Sequence, residues 1–457
     1  MKQVVVVGGG IAGLSIAHAL INRTVNALDI DVLVLEQSNR LGGNIRTDRV
    51  NGYLCERGPI GFLDSAPATL SFVRELDLES ELLPASETAK RRYVLGSGKL
   101  RPVPSSLLGV MRTGLLSNSA KARLLAEPLA RRRTVADESI YDFARRRIGG
   151  EAADVLVDAI VSGVFAGDAR QLSLAACFPR MREMEDKYRS LVRAMLARRR
   201  DTSASQSAGG PLGRLTSFSG GMSLLADRAA AALGDRVRVN TGVLGIRPTG
   251  NDGYCLRTTR GDDIPAHAVI LAGHPTDSAT AVHTLDPVAG QELTAIRSAP
   301  VVAISLGYTQ YSIPVALDGF GFLAPRREKL RTLGALWESS IFPNRAPDGR
   351  VLMRLMIGGA HDPGAVELGD SEITGIALGD LRQSMGLTAE PEMVSIFRHR
   401  RGIPQYEIGH LERISRVRAR LRAHGPIFLA GSGFDGVSVN DCIRTADAIA
   451  ATVIATL

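Results

Sequence analysis

Three glycines, Gly8, Gly10 and Gly13, stand in G-x-G-x-x-G spacing directly after the β-branched run Val4–Val7. After a strand, that spacing makes a seat for a pyrophosphate. The first glycine permits a tight turn, the second lets an anion approach the backbone, and the third lets the next helix lie close on the strand. Free N–H groups at the start of that helix supply the positive end. A second apolar strand, Asp31–Leu35, ends on Glu36, an acid placed to accept hydrogen bonds from ribose hydroxyls. Gly8, Gly9, Gly10, Ile11, Ala12, Gly13, Glu36 and Gln37 are the candidate dinucleotide-binding residues of this unit.

A second glycine loop follows the acid: Arg40, Leu41, Gly42, Gly43 and Asn44, with Arg46 just beyond. It lets the backbone pass under a flat ring or a phosphate, and its arginines can neutralise charge. Nicotinamide enzymes do not need such a loop, so it points to FAD. The turn Gly58-Pro59-Ile60-Gly61 can bring backbone amides to a flavin ring or ribityl chain. At the far end, the strand Ile427–Ala430 runs into Gly431, Ser432 and Val437-Ser438-Val439, then a closing helix over Cys442–Leu457, repeating the logic of strand, glycine turn and helix. His399 and His410 have neither triad nor metal spacing, and the four cysteines are scattered, so no metal and no acid–base catalyst is assigned.

The elements that must position these loops read as α/β. At 457 residues the chain divides into two or three domains, and 45% hydrophobic with 22% charged is a globular composition. Helices are expected over Ala68–Leu76, from the opening Ser219-Gly220-Gly221-Met222 through Leu233, and over Ser371–Met385. Strands are expected over Arg236–Asn240, Val269–Ala272, Val301–Tyr308 and Val351–Ile357. Between Lys90 and Arg200 arginine clusters (Arg131–Arg133, Arg145–Arg147, Arg198–Arg200) alternate with apolar stretches such as Val155–Phe165, a pattern suited to a peripheral membrane surface. Ser203–Gly213 reads as the linker closing this insert. The net charge of +8 comes with no nucleic-acid motif, so no nucleic-acid partner is expected. No apolar run reaches spanning length and the first strand begins almost at Met1, which places the protein in the cytoplasm.

The longer motifs Ser162–Ser173, Gly319–Leu323, Gly402–Arg413 and Gly431–Ile443 resemble those of oxygen-dependent protoporphyrinogen oxidases, within the flavin amine oxidase-like superfamily. The resemblance spans essentially the whole chain. Two positions depart from it: Asn44 stands where flavin oxidases often carry arginine, and Gly433-Phe434-Asp435 replaces an Asn-Ser-Tyr style of loop. It implies a Rossmann-like FAD domain of the p-hydroxybenzoate hydroxylase type in three parts (1–88, 216–275, 395–457), an α+β substrate domain (276–394) and a helical membrane-binding insert (89–215). It adds Val243 to the FAD contacts. For the substrate it implies Arg92 on a propionate, Phe320, Leu323 and Met356 against the tetrapyrrole, and Gly167 nearby. The implied reaction is oxidation of protoporphyrinogen IX to protoporphyrin IX by dioxygen, releasing peroxide. Alternatives are the same chemistry on coproporphyrinogen III, or a flavin amine oxidase. The implied setting is the inner face of the cell membrane, with a homodimer and a haem-pathway enzyme as further expected partners.

Overall fold

The computed structural model describes residues 2–24, 30–104, 107–131, 135–200, 213–250 and 253–457, so the expected linker up to residue 212 lies outside the described residues. Val4, Val5 and Val6 are fully buried because their strand, Lys2–Val7, is the middle of a five-stranded parallel sheet. The order is Val237–Arg238, Ile30–Leu35, Lys2–Val7, Ala268–Leu271, Ile427–Leu429, so the chain returns to this sheet from three distant segments. Continuous apolar runs suit such strands, since a parallel sheet is covered on both faces. Helices Ile11–Thr24, Ser223–Leu233 and Ala446–Thr456 cover one face through Leu14, Ala17, Leu225, Ala229 and Val453.

The other face carries an antiparallel meander, Val243–Thr249, Gly253–Thr258 and Asp263–Ala266. Helices Pro275–His283 and Pro287–Thr294 also pack there, burying Ala279, Val282 and Leu293. Those two helices fall in the span expected to open the substrate domain at 276, yet their apolar faces belong to the core of the parallel sheet.

The substrate-domain sheet has seven strands, in the order Met393–Pro404, Ser298–Thr309, Arg350–Gly358, Thr332–Leu336, Gly321–Leu323, Tyr93–Gly96, Lys99–Pro102. Two expected boundaries shift as a result. Tyr93–Gly96 and Lys99–Pro102, inside the span 89–215 assigned to helices, form one edge, with Val94 and Leu95 buried. Met393–Pro404, cut by the expected boundary at 394, forms the other edge. Side chains alternate between the two faces of a strand. Phe322, Ala335, Leu355 and Ile304 point to a core under helix Asp370–Met385.

The helical insert includes Ile140–Ile148, Asp158–Phe165 and Pro179–Tyr188. Its arginines do not all face outward as expected. Arg147 is fully buried between Glu127 at 3.2 Å and Glu185 at 2.7 Å, and Arg146 joins Glu138 at 2.6 Å to Glu185 at 2.7 Å. Buried charges persist only when paired in this way. Arg132 and Arg133 lie outside the described residues.

Candidate functional site: a glycine cradle facing an open sheet

At the first turn, Gly8 has φ +117°, and a Cβ there would meet the backbone N of Gly273 at 2.7 Å. A Cβ on Gly13 would stand 1.9 Å from the Gly8 carbonyl oxygen, so helix Ile11–Thr24 can approach its strand only with glycine there. Leu41 crowds Gly9, and Gly43, at φ +58°, lies over Gly10 with 3.1 Å from its would-be Cβ to the Gly10 Cα. The two loops are stitched together by the Gly42 N–H donating to the Gly9 carbonyl at 2.8 Å. Ile11 and Ala12 are buried at the start of the helix.

Glu36, 9% exposed, accepts from the Gly9 N–H at 2.7 Å and from the Ser38 N–H and hydroxyl at 2.8 and 2.7 Å. A carboxylate has about four acceptor sites, so capacity remains for a ribose hydroxyl. Gln37 turns away and donates to Asp277 at 2.7 Å. Arg40 differs from expectation too: its guanidinium staples the loop by donating to the carbonyls of Leu41, Gly43 and Ile45. Burial lowers its pKa, and Arg46 beside it adds to this. Arg46 itself pairs with Asp48 at 2.9 Å. A cavity of about 320 Å³ opens here, lined by Arg40, Gly43, Asn44, Arg46 and Phe397–Arg401.

The turn Gly58-Pro59-Ile60-Gly61 is held from beneath. A Cβ on Gly58 would lie 2.0 Å from the Asn44 carbonyl oxygen, and one on Gly61 2.5 Å from that of Thr216. Arg354 reaches up from the seven-stranded sheet to donate to the carbonyls of Glu56 at 2.9 Å and Gly58 at 2.7 Å. His399 bonds the Arg57 carbonyl at 2.7 Å through Nε2. Its pKa is lowered by burial. Below the turn, Glu56 is buried with Arg345, accepts from the Met222 N–H at 2.9 Å, and has a pKa raised by burial to about 7.

At the C-terminal loop, Gly431 and Gly436 take positive φ. Ser438 caps the helix Val439–Arg444, accepting from the Asp441 N–H at 3.1 Å. Val439 is core, and Val437 is partly buried against the helical insert. The expected closing helix divides into Val439–Arg444 and Ala446–Thr456. Val243 is 8% exposed at the head of the meander, next to Glu36 through the Thr241 N–H, which donates to the Glu36 carbonyl.

Opposite the turn lies the second face of the seven-stranded sheet. Directly paired residues point to the same side. Leu323 pairs with Gly334, Gly334 with Met356, Met356 with Ala303 and Ala303 with Phe397, one row across five strands. Leu323 and Met356 are the larger side chains of this row, with Leu323 against Gly163 of the helical insert, and Gly334 and the 2% exposed Ala303 are the small ones between them. Arg354 is in the next row on the same face, so the row looks toward the turn that Arg354 holds.

Phe320 packs with Ile60 of the turn, and Arg92 lies over its ring at 5.3 Å. Arg92 remains open to solvent, faces no carboxylate among the described residues, and has its pKa lowered by desolvation. Gly167, beyond the left-handed Ala166 that packs by Met356, would clash with Gln405 at 2.4 Å if it carried a Cβ. The structure thus gathers Phe320, Leu323, Met356, Gly167 and Arg92 around one face.

Residues 11–454 match the family model described as flavin containing amine oxidoreductase. The chain belongs to that family. This flavin oxidoreductase is 32% identical over 454 residues to coproporphyrinogen III oxidase of Bacillus subtilis (strain 168), covering 97% of this chain and 96% of that one. It is 31% identical over 487 residues to human protoporphyrinogen oxidase, covering 100% and 99%. A solved structure from Exiguobacterium sp. 255-15, provisionally named protoporphyrinogen oxidase, superposes with a TM-score of 0.85 at 26% identity, covering 99% and 98%. Putrescine oxidase, at 0.72 and 19% over 99% of each chain, shares the fold.

The cofactor is FAD. The cradle fits it: the positions a Cβ would fill at Gly8, Gly13 and Gly58 are closed to side chains, and the helix of 14 residues starting at Ile11 supplies free N–H groups beside Gly10. Sequence reading gave no role to Arg354 or Tyr406, which hold the Gly58 turn and the Gly431–Gly436 loop from other elements, whereas His399, read without a catalytic role, holds the Arg57 carbonyl. The one signal for Arg354 was an arginine in the middle of an otherwise apolar strand.

Proposed function

We propose that this chain is an FAD-dependent porphyrinogen oxidase that converts protoporphyrinogen IX to protoporphyrin IX with dioxygen as acceptor. The observation that carries this is the row Leu323–Gly334–Met356–Ala303, a broad apolar face turned toward the flavin turn, with the Arg92 cation at its edge. A flat macrocycle with acidic tails suits that pairing of surface and charge.

FAD, when bound, supplies the electron-pair acceptor, and Gly8–Gly13, Glu36, Leu41–Asn44, Gly58–Gly61, Val243 and the Gly431–Ser432 loop would hold it. Leu323, Met356 and Phe320 would hold the macrocycle and exclude water, and Arg92 would take a propionate as a charge-assisted pair. Each two-electron step removes one bridge-carbon hydrogen with its electron pair and one pyrrole N–H proton. Gained conjugation drives each step, so positioning is the protein's main task. The side chains of the row do not titrate, and we assign the proton to solvent.

A second reading, coproporphyrinogen III as substrate, is favoured by the bacterial relatives from Bacillus subtilis and Staphylococcus aureus, which are named for it. Mixing the yellow holoprotein anaerobically with each porphyrinogen in turn tests both. Bleaching by protoporphyrinogen, followed by porphyrin fluorescence in air, is the expected result. A large preference for the copro form would shift the assignment to the second reading, and bleaching by neither would sink both. Peroxide from simple amines alone would make the chain an amine oxidase.

The helical insert suits a peripheral membrane surface. Among the described residues no helix is long and apolar enough to cross a membrane. Met111, Leu125, Leu129, Ile160, Val164, Met181 and Leu196 are exposed on the insert, Leu129 at 83%. Apolar side chains among basic ones bind anionic bilayers. Cosedimentation with anionic vesicles should be reduced by Leu129→Asp together with Val164→Asp; binding that survives this double change would overturn the assignment.

A further inference from the structure

The segment Gln405–His410 plays no part in the chemistry above, yet it is tied down on every side. Tyr406, 3% exposed, uses its hydroxyl twice: it donates to the Ser432 carbonyl at 2.6 Å and accepts from the Gly436 N–H at 2.9 Å. One oxygen thus spans the Gly431–Gly436 loop at both ends. The loop needs such a clamp because Gly431 and Gly436 both sit at positive φ, where glycine leaves the backbone freest.

The phenol is itself fixed. Its ring stacks on that of His410 at 4.1 Å and 15°. The Tyr406 carbonyl accepts from the Ser173 N–H at 2.8 Å, and the Gly409 N–H donates to Asp137 at 2.9 Å. His410 is fully buried, and neither ring nitrogen is hydrogen-bonded among the described residues. Burial lowers its pKa to about 4, with Arg413 and Arg418 adding to this and Asp137 opposing it, so the ring is neutral. A buried imidazole without polar partners is costly, and the contact it makes in return is the stack.

We propose that Tyr406, braced by His410, is a positioning residue that locks the Gly431–Gly436 loop in the shape that binds FAD. The inference rests on the bound flavin and is independent of which porphyrinogen is oxidised. Tyr406→Phe removes one oxygen and keeps the stack; His410→Ala keeps the oxygen and removes the stack. Both are reconstituted with FAD, and affinity, the flavin visible spectrum and thermal unfolding are measured side by side.

Loss of one well-placed hydrogen-bonding group should weaken FAD binding by about three- to tenfold. Both variants should also blur the resolved shoulders of the bound flavin's visible band. A lowered melting temperature with wild-type FAD affinity and a wild-type spectrum would show a purely structural role and overturn the proposal. Should Tyr406→Phe fail to fold, His410→Ala carries the same two readouts. A wild-type chain that takes up no FAD would overturn the cofactor assignment underneath, a failure plainly different from an unaltered variant.

Discussion

Gly13 and Gly58 have the least room of any residues in the FAD cradle, with a backbone oxygen 1.9 and 2.0 Å from where each Cβ would stand. Gly13→Ala and Gly58→Ala are therefore expected to purify nearly colourless, measured as flavin absorbance per protein. Gly375→Ala is the control: it lies in helix Asp370–Met385 with open space around it, and should retain full flavin while gaining roughly 0.5–1 kcal/mol in stability. A yellow Gly13→Ala would contradict the close helix–strand approach. Gly13 was legible in the sequence because local backbone geometry, the Gly8 carbonyl five residues back, sets its spacing. Gln37 and Arg40 were not, since the partner that turns Gln37 away lies 240 residues on, and Arg40 is occupied by carbonyls that any residue type supplies. Arg92 was legible only through resemblance. If it holds a propionate, Arg92→Ala should raise KM for the porphyrinogen about tenfold or more, with flavin content and melting temperature unchanged. An unaltered KM would return Arg92 to the solvent.

The strands over Val301–Tyr308 and Val351–Ile357 announced themselves by composition, but which sheet a strand joins depends on partners far along the chain. Hence the strand Tyr93–Gly96, which pairs with Gly321–Leu323, was read as the start of a helical insert. The same limit hid the row across the sheet: Leu323 and Met356 were chosen separately, and only the register through Gly334 aligns them. That alignment is testable at its small members. Ala303, 2% exposed, pairs directly with Met356. Ala303→Leu would force extra bulk into the row, costing about 1–3 kcal/mol of stability through overpacking. Flavin should be retained while kcat/KM for the porphyrinogen falls at least roughly tenfold, about 1.4 kcal/mol of transition-state binding. Unchanged kcat/KM with a lowered melting temperature would mean the row is plain core.

Three remote stretches of chain meet at Glu56. It lies beside the FAD turn, accepts from the Met222 N–H and the Thr47 hydroxyl, and faces Arg345, while Arg354 joins Glu338 at 2.9 Å close by. Burial raises the Glu56 pKa from 4.5 to about 7, with Arg345 opposing the shift. Between those values the folded state binds more protons than the unfolded one, so this group makes stability fall as pH rises. His274 and His410 act in the opposite sense. Burial lowers each to about 4 from 6.5, so between those values the unfolded chain binds more protons and stability rises with pH. The windows overlap, and the wild-type curve alone would show only their difference. Glu56→Gln separates them. It leaves both histidines in place and removes the carboxyl, so the stability of the variant minus that of the wild type should climb from pH 5 to 7.5 by roughly 2 kcal/mol. Whatever the amide costs in lost contact with Arg345 is a constant offset, and the slope is the readout. A difference that stays flat across that range in denaturant melts of the apoprotein would mean that Glu56 is ionised throughout and that Arg345 outweighs burial.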